Sequence, residues 1–189
     1  TIADLSDHHW KPTQNQNTNR LEQNMQQIDF KGPFNFHDEN SIFHELTEGI
    51  NGVYLWCIQI SDNTYRVYYA GEAIDIKKRM HVHLKNLLSG NYSGHCIDSL
   101  KNNKIVIMHR ATEGMIPRFA HIDARSFNQG FAKSLYLFYA KLPDLENKSD
   151  TKWLRCRFET GIITHIENAG ENIISVGHRR YWKDNKDIF

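Results

Sequence analysis

The run from Gly52 to Arg79, GVYLWCIQISDNTYRVYYAGEAIDIKKR, limits what this chain can fold into more than any other segment. An apolar stretch from Val53 to Ile60 is followed by the polar turn Ser61-Asp62-Asn63 and a second β-rich stretch from Tyr65 to Ala70, the pattern of a hairpin. Gly71 punctuates the second strand. A charged segment then opens at Asp75, with Ile76, Met80, Leu84, Leu87 and Leu88 at helical spacing. The unit reads strand, strand, helix.

Tyr54 and Tyr69 lie at corresponding places on the two strands, and Arg79 and His83, four apart, project from one side of the helix. A phenol pair facing a guanidinium and an imidazole suits phosphate chemistry. These residues resemble the GIY-YIG nuclease family: Gly52-Val53-Tyr54 stands for the first motif half, Tyr69-Ala70-Gly71 for the second, and Arg79 falls where the family has its catalytic arginine. The resemblance implies a metal-binding acidic residue on a later helix, met by Glu159, and an Asn some dozen residues beyond it, met by Asn172. Val53 and Ala70 replace isoleucines of the pattern. Glu72 stands where many relatives have Lys, which puts a negative charge near a phosphate site.

The implied fold is of the α/β class, α+β type: a small central mixed three-stranded sheet flanked by helices, with an N-terminal arm and insertions. Ser134 to Leu142 (SLYLFYAKL) supplies the third strand. A helix capped by Asp150 or Thr151 follows, with Leu154, Phe158, Ile162 and Ile166 as its buried stripe and Glu159 at the margin. A strand tyrosine alone is ordinary packing, and a lone glutamate beside a stripe is ordinary surface. The ordered set is the specific signal.

At 189 residues and 40% hydrophobic, the chain is expected to form one domain over 32–189, with an insertion around 101–133 and a basic C-terminal tail. Residues 1–31 read as a flexible arm, because nine of the seventeen residues from Lys11 to Gln27 are Asn or Gln. Gly32-Pro33 marks a break. A short helix carrying Ile42, Phe43 and Leu46 follows, capped by Asp38 or Ser41 and ended by Gly49. After the hairpin helix come a loop from Leu88 to Gly94, a helix from Ile97 to Lys101, a strand from Lys104 to His109, and a loop-like stretch from Ala111 to Gln129. His95 reads as a solvated loop residue, and Ile173 to Val176 as a further strand.

The net charge of +1 does not advertise a nucleic-acid binder, so local clusters matter. Lys77, Lys78 and Lys85 on the first long helix, Arg110, Arg118 and Arg125 in the insertion, and Arg179 and Arg180 in the tail are the candidate DNA contacts. Three cysteines without C-x-x-C spacing argue for a reducing compartment and against a disulfide framework. No run reaches transmembrane length and no signal-peptide pattern opens the chain. The expected location is cytoplasmic, in a prokaryote or from a phage, without membrane contact.

The activity implied by the resemblance is metal-dependent hydrolysis of double-stranded DNA, as by a type II restriction enzyme acting as a homodimer. Rival readings are a phage or repair nuclease directed by DNA structure, and a non-catalytic DNA-binding module that keeps the fold. Glu159 would hold the divalent ion, Mg²⁺ first and Mn²⁺ second, and Arg79 the scissile phosphate. A free tyrosine titrates near 10, so Tyr54 would need nearby positive charge or onward transfer of its proton to His83, expected to titrate near neutrality. Tyr69 would orient water or phosphate. Asn172 would fix the geometry by hydrogen bonding.

Overall fold

The computed structural model describes residues 28–37, 39–109 and 122–173, without the side chains of 109 and 122–125. Strand β1 (Lys31–Phe34) and helix α1 (Ile42–Glu45) lead into β2 (Gly52–Ser61), β3 (Thr64–Ala73) and α2 (Ile76–Leu88). Strand β4 (Gly94–His95), α3 (Ile97–Lys101) and β5 (Ile107–His109) follow, and then α4 (Ile122–Lys133), β6 (Leu135–Lys141) and α5 (Lys148–Asn168). The fold is α+β. Its main sheet has four strands in the order β1-β6-β2-β3, and β4 pairs with β5 separately.

Every pairing in the main sheet is antiparallel, so the mixed three-stranded sheet expected from the resemblance is corrected on both counts. The missed strand is β1, which contains Gly32 and Pro33. Proline has no N–H to give to a ladder and is tolerated at a sheet edge, which is where β1 lies. Ile28 is buried, so the ordered core begins before the expected boundary at 32.

The sheet is covered on both faces. Tyr54, Trp56, Ile58, Tyr68, Leu135, Leu137 and Tyr139 pack with Ile42, Ile76, Met80, Leu87, Leu100 and Phe131 from the helices on one side. Val53, Leu55, Cys57, Val67, Phe138 and Ala140 pack under Leu154, Phe158, Ile162 and Ile166 of α5 on the other. Full burial of such side chains contributes about 1.5–3 kcal/mol each. The alternation along β2 is what divides its residues between the two cores.

Strand β3 departs from strict alternation. Trp56 pairs with Tyr69 but the next residue, Cys57, pairs with Val67, leaving Tyr68 as a bulge. An inserted residue reverses the faces beyond it. Tyr68 and Tyr69 therefore both join the α2 side, whereas Val67 and Ala70 face α5.

Local signals explain the helix ends. The Asp75 carboxylate accepts from Lys78 N–H at 3.0 Å and caps α2. Ser41 caps α1, which stops at Glu45, well short of Gly49. The cap of α5 is Asn147, three residues before the expected Asp150, and its Oδ1 accepts from Ser149 N–H at 3.0 Å. The stretch expected to be loop-like up to Gln129 contains most of α4, whose Asn128 is fully buried. His95, expected in solvent, is also buried, beside Tyr68 and Phe131. The expected strand at Ile173 to Val176 lies outside the described residues beyond Ile173.

Candidate active site

The glycines of the two motif halves are spacing devices. A Cβ on Gly52 would run into the carbonyl oxygen of Ala140 on the neighbouring strand, and one on Gly71 would run into the phenol of Tyr54. Tyr54 pairs across the ladder with Gly71, while Tyr69 pairs with Trp56. The two tyrosines are thus diagonal neighbours on one face, not opposite one another as their places in the sequence suggest. Their ring centroids are 6.1 Å apart.

Helix α2 brings Arg79 and His83 onto this tyrosine pair. Tyr54 Oη lies 2.7 Å from His83 Nε2, and Arg79 Nε donates to the same oxygen at 3.4 Å. The His83 ring also meets Trp56 and Tyr69 edge to face, at 4.8 and 5.9 Å between centroids. On its far side His83 Nδ1 is 2.9 Å from Tyr92 Oη. Tyr54 and His83 are buried, Tyr69 is half-buried, and Arg79 is exposed. A permanent cation is therefore open to solvent beside a buried phenol–imidazole pair.

Glu159 enters from the other helix layer. The edge strand β3 lies between α2 on one face and α5 on the other. Glu159 is 4% exposed, and its charge is felt by Tyr69, as that of Arg79 is by Glu159. Burial, and then the neighbouring Glu72, push its carboxyl up to about 8. Glu72 itself is bound to Arg155, whose Nε donates to Glu72 Oε2 at 2.6 Å. Another Arg155 nitrogen donates to Asn51 Oδ1 at 3.1 Å, and Asn51 Nδ2 donates to Leu142 O at 2.9 Å. The negative charge that Glu72 carries near the site is thus matched by a guanidinium from α5.

Of the two routes open to Tyr54, a lowered phenol and onward transfer of its proton, the first is closed, and the near-neutral titration expected of His83 is reversed. Burial, and then Tyr69, raise the Tyr54 phenol well above its ordinary value, despite the opposing effect of Arg79. Burial, and then the charge of Arg79, lower His83 to about 3, so it is neutral at pH 7 and does not titrate near neutrality. Tyr69 is also raised, chiefly by burial.

Asn172 does not join the cluster. It is exposed, its N–H donates to Asn103 Oδ1 at 2.7 Å, and its Nδ2 donates to Asn103 O at 2.6 Å. The side chains found behind the cluster are instead Tyr92, against His83, and Arg155, against Glu72. Arg155 had a legible signal, since it stands four residues before Glu159 on one helix. Tyr92 had none beyond closeness to His83 in the chain.

Of the candidate DNA contacts, Lys78 and Lys85 are exposed on α2 and Lys77 is half-buried. Lys78 also pairs with Asp75 at 3.3 Å. Arg110, Arg118, Arg179 and Arg180 lie outside the described residues, as does the side chain of Arg125. Among the described residues no helix is long and apolar enough to cross a membrane.

Among the described residues no three His, Cys, Asp or Glu side chains converge as a ready-made metal cage. A divalent ion would take one protein carboxylate, Glu159, with water and substrate oxygens filling the remaining positions, as Mg²⁺ commonly does. The residues fit such an ion, because a carboxyl held protonated by burial and a like-charged neighbour is stabilised as its anion by an adjacent cation. In comparisons with protein-family models, with curated proteins and with solved structures, the chain matches none.

Proposed function

We propose that this chain is a metal-dependent endonuclease of the GIY-YIG kind that hydrolyses double-stranded DNA, and that it does so at a defined sequence as a type II restriction enzyme. The observation that carries this reading is the convergence of Tyr54, Arg79 and His83 within hydrogen-bonding reach, with Tyr69 against them and Glu159 within electrostatic range. Each group then takes the chemical part that its surroundings allow.

The exposed guanidinium of Arg79 binds phosphate oxygens without needing a proton change. It is the donor that meets negative charge as it grows in the transition state, and losing such a donor typically costs on the order of a hundredfold or more in rate. The Tyr54 phenol is too weak an acid to stand ionised. It acts instead as a relay: it takes a proton from the attacking water as its own proton passes to His83 Nε2, and remains neutral throughout. His83 begins neutral and ends as imidazolium. Binding of a phosphate to Arg79 offsets the positive charge that helps hold His83 low, making the imidazole a better acceptor when substrate is present. Tyr69, on the same face, orients the water or phosphate. A divalent ion held by Glu159 would supply charge neutralisation at the phosphate and the departing oxygen.

The lysines of α2 suit the backbone of the substrate, since phosphate contacts position a protein without reading bases. The deciding experiment is digestion of a phage genome by the wild-type chain and by Glu159→Ala, with Mg²⁺, with Mn²⁺ and with chelator. Discrete fragments that disappear with the mutation or the chelator are expected. A smear would replace sequence specificity with a structure-directed or repair role, and failure of the folded wild type to cut duplex, branched or single-stranded DNA would overturn the enzyme in favour of a binding module.

A further inference from the structure

His83 has a hydroxyl on each nitrogen: Tyr54 Oη at 2.7 Å from Nε2 and Tyr92 Oη at 2.9 Å from Nδ1. A neutral imidazole carries one N–H and one lone pair, so the two contacts differ in direction. Arg79 Nε donates to Tyr54 Oη at 3.4 Å, so with the Tyr54 hydrogen directed at Nε2 that oxygen both accepts and donates. In that arrangement the hydrogen of the imidazole falls on Nδ1 and points at Tyr92.

Resting on the nuclease reading above, we propose that Tyr92 is a positioning residue: its hydroxyl accepts from His83 Nδ1–H and holds the Nε2 lone pair on the Tyr54 hydroxyl. As the proton passes from Tyr54 to Nε2, the same Tyr92 oxygen faces the Nδ1–H of the imidazolium. No other proton need move. Hydrogen bonding at one ring nitrogen commonly fixes which form the other presents.

Tyr92 is itself held by the segment that intervenes before the last strand of the sheet. It stands half-buried between α2 and β4. Asn128 of α4, fully buried, donates from Nδ2 both to Leu87 O at the end of α2, at 3.0 Å, and to Tyr92 O at 3.2 Å. One amide thereby ties the residue carrying the phenol to the helix carrying the imidazole. This gives α4 a part in supporting the site, distinct from the DNA contacts expected of Arg110, Arg118 and Arg125.

The test is a long-range ¹H–¹⁵N correlation spectrum of the full chain labelled at histidine nitrogen, with His83 assigned by its loss in His83→Gln. Wild type is expected to show Nδ1 protonated and Nε2 bare at neutral pH. In Tyr92→Phe the ratio of the two forms is expected to move on the order of tenfold toward Nε2–H, the scale of one hydrogen bond, with near-ultraviolet circular dichroism unchanged. A wild-type His83 protonated at Nε2 overturns the proposal without recourse to any variant, and so does a Tyr92→Phe spectrum with the ratio unmoved. The nuclease reading is tested separately. DNA cleavage with His83 protonated at Nε2 keeps the enzyme and removes Tyr92 from its mechanism. An Nδ1–H imidazole in a chain that cuts no DNA removes the enzyme, and Tyr92's catalytic part with it.

Discussion

Arg155 on α5 and Glu72 on β3 form an ion pair at 2.6 Å, with side chains only 7% and 17% exposed. The pair joins the helix that carries Glu159 to the strand that carries Tyr69. Removing one partner leaves a charge with little water, so Arg155→Met is expected to lose about 3 kcal/mol in urea unfolding. Adding Glu72→Gln to that variant should recover much of the loss. Equal instability of the single and double variants would show that Arg155 acts through packing rather than charge.

Gly71 and Tyr54 are a second coupled pair. Gly71→Ala places a methyl group against the Tyr54 phenol and is expected to cost about 1–3 kcal/mol, the usual range for overpacking a filled core. In a Tyr54→Leu background the same change should cost much less, because the phenol it meets is gone. Additive losses in the double-mutant cycle would contradict the contact.

Two buried groups should shape stability against pH in opposite directions. Glu159 is raised from 4.5 to about 8, so the native state keeps a proton that the unfolded chain releases, and stability falls as pH rises from about 4.5 to about 8. His83 is lowered from 6.5 to about 3, so the unfolded chain takes up a proton that the native state refuses, and stability rises with pH from about 3 to about 6.5. Together they give a plateau between about 4.5 and 6.5, falling on both sides. Unfolding across pH should lose its alkaline slope in Glu159→Gln and its acid slope in His83→Gln.

The α2 lysines should be visible in salt dependence. With Glu159→Ala used to prevent cleavage, duplex binding by variants with Lys78→Ala or Lys85→Ala is expected to lose about 0.9 from the slope of log affinity against log salt for each phosphate contact removed. Unchanged slopes would place the DNA elsewhere.

Cleavage rates should also separate the residues of the expected set. Arg79→Ala is expected to lose on the order of a hundredfold or more, and Tyr54→Phe a comparable amount if the relay operates. Asn172→Ala should cut at nearly the wild-type rate, since its side chain is engaged with Asn103. A loss from Asn172→Ala as large as that from Arg79→Ala would place this residue back in the mechanism.

The sequence was most readable where one period governs a whole element. Tyr54 sits on the regular part of β2 and Arg79 and His83 sit one turn apart on α2, so spacing alone put them on the right faces. Glu159 was singled out through the family resemblance, since its place beside the apolar stripe of α5 alone reads as ordinary surface. The remainder depended on contacts between distant parts of the chain. Strand β1 was hidden by Gly32-Pro33, which locally reads as a break, and the Tyr92–Asn128 tie joins residues whose types carry no periodic signal. Asn172 was placed by its distance along the chain from Glu159, but the helix ends at Asn168 and Asn103 then captures the Asn172 backbone and side chain.

The bulge at Tyr68 gives the interval between the two motif tyrosines an arithmetic meaning. With the turn and the rest of the ladder kept, excising Tyr68 would restore unbroken alternation, with Val67 on the α5 side and Tyr69 still on the α2 side beside His83 and Tyr54. A change of length that no bulge takes up would instead reverse every face beyond it, and a chain with both tyrosines, both glycines and a sound sheet would still have a dismantled site if Tyr69 fell on the α5 side.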